Sequence, residues 1–427
     1  MTFYAPRGKK FSDFQIIEAH DKLHCIFIQN DKHQKQTGEH GNTYGLAVSE
    51  NGYEWAYEGT IKRIGKKGSW NDSSLWAPDV FNVKGKYYML YSAVSNSSSD
   101  PHYTQQVGLS VSDDLKNWSD VTSEPVITTT HTGKYYYPAR MHKFAFRDPV
   151  VYHARGLYYC ILAAKDKTKP YERSGCVALL SSKNLKNWKT LPPIFSPGRY
   201  WEIETPHLYK INDAWVLLFG EYTNGISIRY AISTSPSRKF REPQNNELTP
   251  SYCYAGRMIR WKDEFLLYHW IQDPVVGKPE TYLAPPKKII KNKNRIYLKQ
   301  YNITNERIQA VKPSRLLQSV KQSKEKKAMS TFPLKTHASI TSTSKPSAYD
   351  RRIFLDRTTH GLCIRDFTKD NEVNDLRTIP VKTTKNSEVK ITLDGRFMEV
   401  YVDGYFAHAA ILARRKQDVL SLEISSW

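Results

Sequence analysis

Apolar and aromatic residues fall in short runs separated by polar turns, the pattern of β-strands joined by tight connections. The run FSDFQIIEAHDKLHCIFIQ, residues 11–29, sets the theme: two apolar stretches about a polar turn, with one carboxylate, Asp13, ahead of the first. Its second half returns as GKYYMLYSA from Gly85, RGLYYCILAA from Arg155, NDAWVLLFGE from Asn212 and KDEFLLYHW from Lys262. A second unit lies between these copies: YGLAVSENGYEW from Tyr44, VGLSVSDDLKNW from Val107, VALLSSKNLKNW from Val177 and a degenerate YAISTSPSRKF from Tyr230. Each reads as a strand, a turn rich in Ser, Asp and Asn, and an aromatic-ended edge strand.

Five copies at intervals of roughly 50 to 70 residues, each worth two hairpins, predict a radial repeat of four-stranded sheets. The expected fold is all-β: a five-bladed β-propeller over residues 1–307. A sandwich of similar length would not require paired motifs to recur. Residues 308–330 are polar and Lys-rich and read as a linker. Short alternating strands broken by Asp-Gly turns at Asp394 and Asp403 then predict a C-terminal β-sandwich over 331–427.

The repeat also locates candidate chemistry. Counting eleven residues back from His24, Tyr159 and Trp215 lands on Asp13, Asp148 and Glu204. The first strand of each blade lines the propeller axis, so these acids converge. In the second copy Ala77 holds the slot and Asp79 follows two residues on, facing the same side. Carboxylates that meet repel one another, which a purely structural design avoids. Glycoside hydrolysis needs such a group, with one carboxyl protonated and another ionised. Pro149 and Pro206 fix the backbone beside two of the acids, and Arg147 can hold a carboxylate ionised. Trp76, Trp201 and Tyr254 offer flat apolar faces on which sugars stack.

Composition narrows the rest. The 427 residues carry 63 basic against 42 acidic side chains, a net charge of +21, which favours anionic partners. The charge is dispersed, and its densest run, Lys287 to Lys299, alternates with Ile, Tyr and Leu as a solvated strand face does, so no nucleic-acid partner is expected. No stretch has the roughly 18 apolar residues of a membrane span, and the N-terminus lacks the apolar core of a secretory signal; a cytoplasmic protein without membrane association is expected. Five cysteines without CxxC spacing read as reduced packing residues, and no metal site is expected.

With these motifs in hand, the chain resembles glycoside hydrolase family 32, the β-fructofuranosidases, invertases, levanases and inulinases, over nearly its whole length. DFQIIEAHDKLHCIFIQ looks like the family's nucleophile segment, implying Asp13 as nucleophile and Gln29 as a sugar-site residue. FRDP matches the Arg-Asp-Pro motif, implying Asp148 as transition-state stabiliser and Arg147 as its partner. WEIETP is similar to the Glu-Cys-Pro motif and implies Glu204 as acid/base. VKITLDGRFMEVYVDGYF resembles the family's C-terminal sandwich. Tyr44 and Leu46 replace the Trp and His of the family's Trp-Gly-His-Ala-Val-Ser segment, and Ser12-Asp13-Phe14-Gln15 replaces Asn-Asp-Pro-Asn. LWAPDVF, from Leu75, instead looks like family 43, the arabinofuranosidase and xylosidase propellers.

The expectation is a retaining glycosidase acting on a terminal β-fructofuranoside such as sucrose, sucrose phosphate or a fructan. No cofactor is called for, and the partner is a small-molecule or oligosaccharide substrate, with an anionic one favoured by the charge. An inverting family 43-like hydrolase, a fructosyltransferase and a non-catalytic carbohydrate-binding propeller are the alternatives. Leaving group and oligomeric state are not encoded in any motif.

Overall fold

The computed structural model is built almost wholly of antiparallel strands. It describes residues 3–301 apart from 32–40, 96–104, 139–144, 223–225, 238–239 and 273–279; beyond 301 it describes strand backbones and, with side chains, 387–394 and 397–411.

The first sheet holds β1 (Lys9–Ala19), β2 (Lys22–Asp31), β3 (Thr43–Ser49) and β4 (Ala56–Arg63) in chain order. The second repeats this with β5 (Ser74–Val83), β6 (Lys86–Val94), β7 (Gln106–Ser112) and β8 (Ser119–Asp120). The third uses β9 (Phe146–Ala154), β10 (Leu157–Lys165), β11 (Gly175–Ser182) and β12 (Trp188–Phe195). The fourth keeps three strands, β13 (Glu204–Ile211), β14 (Ala214–Glu221) and β15 (Ser227–Ser233); where the motif copy is degenerate, its edge strand is reduced to isolated bridges Arg229–Glu247 and Ile232–Arg241.

Local chemistry explains why both units recur. The polar turns entering the second strands put His20, Asp21, Lys84, Arg155 and Asn212 at positive φ, the conformation of tight two-residue hairpins. In the other unit, Asp114 Oδ1 accepts from the backbone N–H groups of Lys116 and Asn117, and Asn184 Oδ1 accepts from those of Lys186 and Asn187. Trp118 and Trp188 then close each turn by donating to the carbonyls of Leu115 and Leu185, both at 2.9 Å.

Next come β16 (Cys253–Trp261), β17 (Glu264–Gln272), β18 (Thr281–Leu283), β19 (Lys287–Asn292) and β20 (Arg295–Gln300). The C-terminal part holds β21 (Gln309–Ala310), β22 (Lys327–Pro333), β23 (Thr336–Thr343), β24 (Tyr349–Asp356), β25 (Gly361–Phe367), β26 (Val373–Leu376), β27 (Glu388–Asp394), β28 (Phe397–Val402), β29 (Tyr405–Ile411) and β30 (Val419–Ser426). One sheet runs β16-β17-β19-β20-β29-β28-β27-β22-β21, with β18 beside β17, and another runs β26-β25-β24-β23-β30.

The molecule is therefore an all-β propeller with C-terminal sheet, but four blades stand as separate sheets, not the expected five. The fifth copy, from Lys262, forms β17, and its sheet continues through the Lys299–Tyr405 pairing of β20 with β29. An open sheet edge carries unpaired N–H and C=O groups, and strands arriving from elsewhere in the chain satisfy them. Of the expected linker, residues 309–310 and 327–330 lie in strands, and 308 and 311–326 fall outside the described residues.

The first strands β1, β5, β9, β13 and β16 each pack on the next and encircle an axis. Apolar side chains bury between neighbouring sheets: Ile26, Leu46, Leu75 and Met89 join the first and second, and Val150, Ile161, Leu208 and Leu217 the third and fourth. The axis is left to polar groups. Cys25, Cys160, Cys176 and Cys253 are buried and unpaired, and Cys363 lies in β25, where only the backbone is described. Part of the basic run is neutralised in place, Lys287 pairing with Glu399, Lys288 with Glu264 and Lys291 with Asp213, while Lys299 lies over the Tyr405 ring.

Candidate active site

Every first strand breaks register near the axis with a β-bulge, a device that re-aims side chains. Two residues oppose one at Ser12-Asp13, Trp76-Ala77, Asp148-Pro149, Thr205-Pro206 and Ala255-Gly256. Asp148, Thr205 and Ala255 take φ of +60°, +43° and +52°. Such angles are uncommon outside glycine, above all for the β-branched Thr205, and strain of this kind gathers at functional sites.

The bulges correct the count of eleven, which assumed regular strands. Asp13 is the second residue of its bulge, Asp148 the first of its own, and Glu204 the last paired residue before the bulge in β13. The three acids thus occupy successive steps of one device.

Each acid has different donors. Asp13 Oδ1 accepts from the Trp270 indole N–H at 3.0 Å. Asp148, 3% exposed, accepts at Oδ2 from the backbone N–H of Thr205 at 2.8 Å, and its own N–H donates to Ser92 Oγ at 2.9 Å. Burial raises its pKa; the Arg147 charge opposes that rise, and the carboxylates of Glu204 and Asp13 reinforce it. Glu204 is the reverse case. Burial works to raise its pKa, but Arg147 and hydrogen bonds from the Tyr222 and Tyr254 hydroxyls outweigh it and hold the carboxyl below the ordinary glutamate value. Tyr254 reaches Glu204 Oε2 at 3.0 Å, and Arg147 Nη2 and the Tyr222 hydroxyl also bond to the carboxylate. Carboxyls whose proton affinities are pushed apart can share acid and base work.

Of the residues expected at the site, Asp13, Asp148, Glu204, Arg147, Trp76 and Tyr254 come together. Arg147 lies 5.6 Å from the Trp76 ring centroid. Its closest carboxylates are Glu202 and Glu204, with Asp148 farther at 3.9 Å, so it serves the Glu204 side more than the expected Asp148. Tyr254 acts through its hydroxyl and presents no open face: it is 3% exposed, packed on Trp270 and Tyr222. Gly220, the cross-strand partner of Glu204, makes room for the Tyr254 ring, which a Cβ would strike.

Three of the expected residues are held in contacts of another kind. Asp79 is 2% exposed, with one oxygen bonded to Gln15 and the other to the Val151 N–H at 2.7 Å, so it ties β5 to its neighbours. Gln29 is 1% exposed, its amide held by Tyr57 and Thr60. One face of Trp201 is covered by the Lys165 ammonium, 3.8 Å from the ring centroid, and Tyr171 stands edge-on to the ring.

Several residues passed unmarked in the sequence. Glu202 and Trp270 lie within quoted motifs, and Tyr222 directly follows one, but none carries a signal of its own. Arg257 is the other. It follows the bulge of β16, is 1% exposed, and donates through Nη1 to the carbonyls of Thr205 and Gly256 at 3.2 and 3.1 Å. Burial depresses its pKa, and Asp13, Asp79 and Asp148 oppose that. A buried cation was to be expected where acids converge, but nothing in YAGRMIR distinguishes it.

Residues 4–281 match the model of the glycosyl hydrolases family 32 N-terminal domain. No curated protein is a significant match to the sequence. Among solved structures, the fold is similar to a family 32 β-fructofuranosidase of Bombyx mori, with TM-score 0.71, 16% identity, and coverage of 98% of this chain and 90% of that one. It is also similar to a sucrose-6-phosphate hydrolase of Lactobacillus gasseri (0.68, 14%, covering 97% and 90%) and to fructan 1-exohydrolase IIa of Cichorium intybus (0.67, 14%, covering 99% and 93%).

Proposed function

This chain belongs to glycosyl hydrolase family 32, and from that premise we propose that it is a retaining glycosidase releasing terminal fructose from a β-fructofuranoside. The observation that carries the reading is the meeting of Asp13, Asp148 and Glu204 at the bulges of three first strands, each with its own donors. Asp13 attacks the anomeric carbon and Glu204 protonates the leaving oxygen. Glu204 then takes a proton from water, which displaces Asp13 and releases the sugar. Asp148 bonds the sugar hydroxyls more tightly as the ring gains positive charge.

The donors around Glu204 favour its ionised form, the form that activates water in the second step. Protonating the leaving oxygen requires that hold to loosen. Sucrose, sucrose phosphate and fructans are the substrates to try first, since solved relatives are named for them or hold them, and the net charge of +21 favours the anionic one.

Glu204→Gln should abolish turnover of sucrose while partly sparing an aryl β-fructofuranoside, whose leaving group needs no proton. Trapping with a slow furanosyl substrate should place the sugar on the Phe11 to Lys22 peptide. An unlabelled Asp13 together with an inverted product by NMR would overturn the mechanism.

A further inference from the structure

Glu202 stands two residues before Glu204, outside the acid triad, yet shares its counter-ion. Arg147 Nη2 donates to Glu202 Oε1 at 2.6 Å and also to Glu204 Oε1. The rest of the guanidinium is fixed, with Nη1 on Gln105 Oε1 at 3.3 Å, its face toward Trp76 and a side chain only 7% exposed. Arg147 is held in place, so the two glutamates share one nitrogen, which offers one N–H to each.

We infer that Glu202 is the positioning residue that lets Glu204 change protonation state, holding Arg147 when Glu204 carries a proton and sharing it when Glu204 is ionised. This rests on the reading of Glu204 as acid/base. With Glu204 as its only close partner, a buried guanidinium would keep that carboxyl ionised through the whole cycle, which suits a base and defeats an acid. A second anion on the same nitrogen raises the proton affinity of Glu204 by repulsion and gives the cation somewhere to rest.

The charged and titratable groups facing the pair are Arg147 and Asp148 from β9, Lys165 at the end of β10, Tyr222 after β14, Tyr254 from β16, and Tyr171 and Glu172 from the turn at 171–173. The tyrosines that bond Glu204, Tyr222 and Tyr254, have raised pKa values, so they stay neutral donors at working pH. Lys165, lowered by burial to about 8, is a cation near Glu202 and reinforces the pull on that side.

The test is a carbon-13 NMR titration of the glutamate carboxyls, with the Glu204 resonance assigned by its loss in Glu204→Gln. In Glu202→Gln the Glu204 midpoint should fall by about one pH unit, tenfold in proton affinity. Glu202→Asp draws the carboxylate back and should lower it less; it carries the test if the glutamine variant does not fold. A midpoint that stays or rises would overturn the inference. Glu204→Gln losing sucrose and aryl substrates equally would instead overturn the acid/base reading, whatever the titration gives.

Discussion

The substitution Asp79→Asn separates a blade tie from a ligand contact. The carboxyl is buried, and burial raises its pKa to about 6 although the Val151 N–H, the Arg257 charge and the Gln15 amide all pull it down. The folded value lies above the reference of 3.8, so the folded chain holds this proton more tightly than the unfolded one. The stabilisation from that proton is complete below the unfolded pKa and is lost as pH rises through about 6. The gap of roughly 2 units amounts to about 3 kcal/mol, of which one unit, about 1.4 kcal/mol, falls between pH 5 and 8. An asparagine at this position cannot charge and escapes that loss. Its amide must present oxygen to Val151 and hydrogens to Gln15, whose own oxygen now accepts from the Ile16 N–H at 3.0 Å; that penalty does not change with pH. Urea unfolding of both proteins at pH 5 and pH 8 should show the variant gaining about 1.4 kcal/mol on wild type at the higher pH. Sugar kinetics should not change. A pH-independent difference, or a gain at pH 5, would refute the reasoning, and a raised KM would restore Asp79 to the site.

Tyr222→Phe removes a donor to the ionised Glu204, so the alkaline limb of kcat/KM should move up by about one pH unit, opposite in sign to Glu202→Gln; an unmoved limb would count against the hydrogen bond. Arg257→Met leaves the carboxylates around it uncompensated and should cost about 3–5 kcal/mol at pH 8 in urea unfolding, and less at pH 5, where protonation of Asp79 and Asp148 relieves the repulsion. Lys287→Met strips the partner from the fully buried Glu399, whose other oxygen accepts from Tyr401 at 2.6 Å, and should also cost about 3–5 kcal/mol. Adding Glu399→Gln should return part of that loss, since the uncompensated charge is gone; no recovery would mean the pair acts through packing alone.

The repeats were legible because each motif is one local structure. The copies of DKLHCIFIQ became second strands entered by tight turns, and DLKNW and NLKNW became turns closed by their own tryptophans. The fate of the fifth copy was not legible, because it depends on Tyr405 pairing with Lys299 across a hundred residues. The acids could be found by register and by their neighbouring prolines. What covers a ring could not: Trp201 looked open until Lys165 lay on it, and Tyr254 looked like a platform until its hydroxyl met Glu204. The eleven-residue count led to acids that do come together, but for an incomplete reason, since a bulge shifts register without changing sequence spacing.

The bulges and the arginines together explain how the acids coexist. Regular strands would point equivalent residues at the axis in one layer, and the carboxylates would face one another with equal claims on a proton. Stepping Asp13, Asp148 and Glu204 through successive bulge positions hands each a different donor set: an indole, a backbone N–H, and a guanidinium with two hydroxyls. Arg257 then faces the Asp13 and Asp148 side, and Arg147 faces Glu204. Backbone strain at Asp148 and Thr205 is the cost of that asymmetry. Asp148 and Glu204 thereby acquire unlike proton affinities, from which a division of labour among the acids can begin.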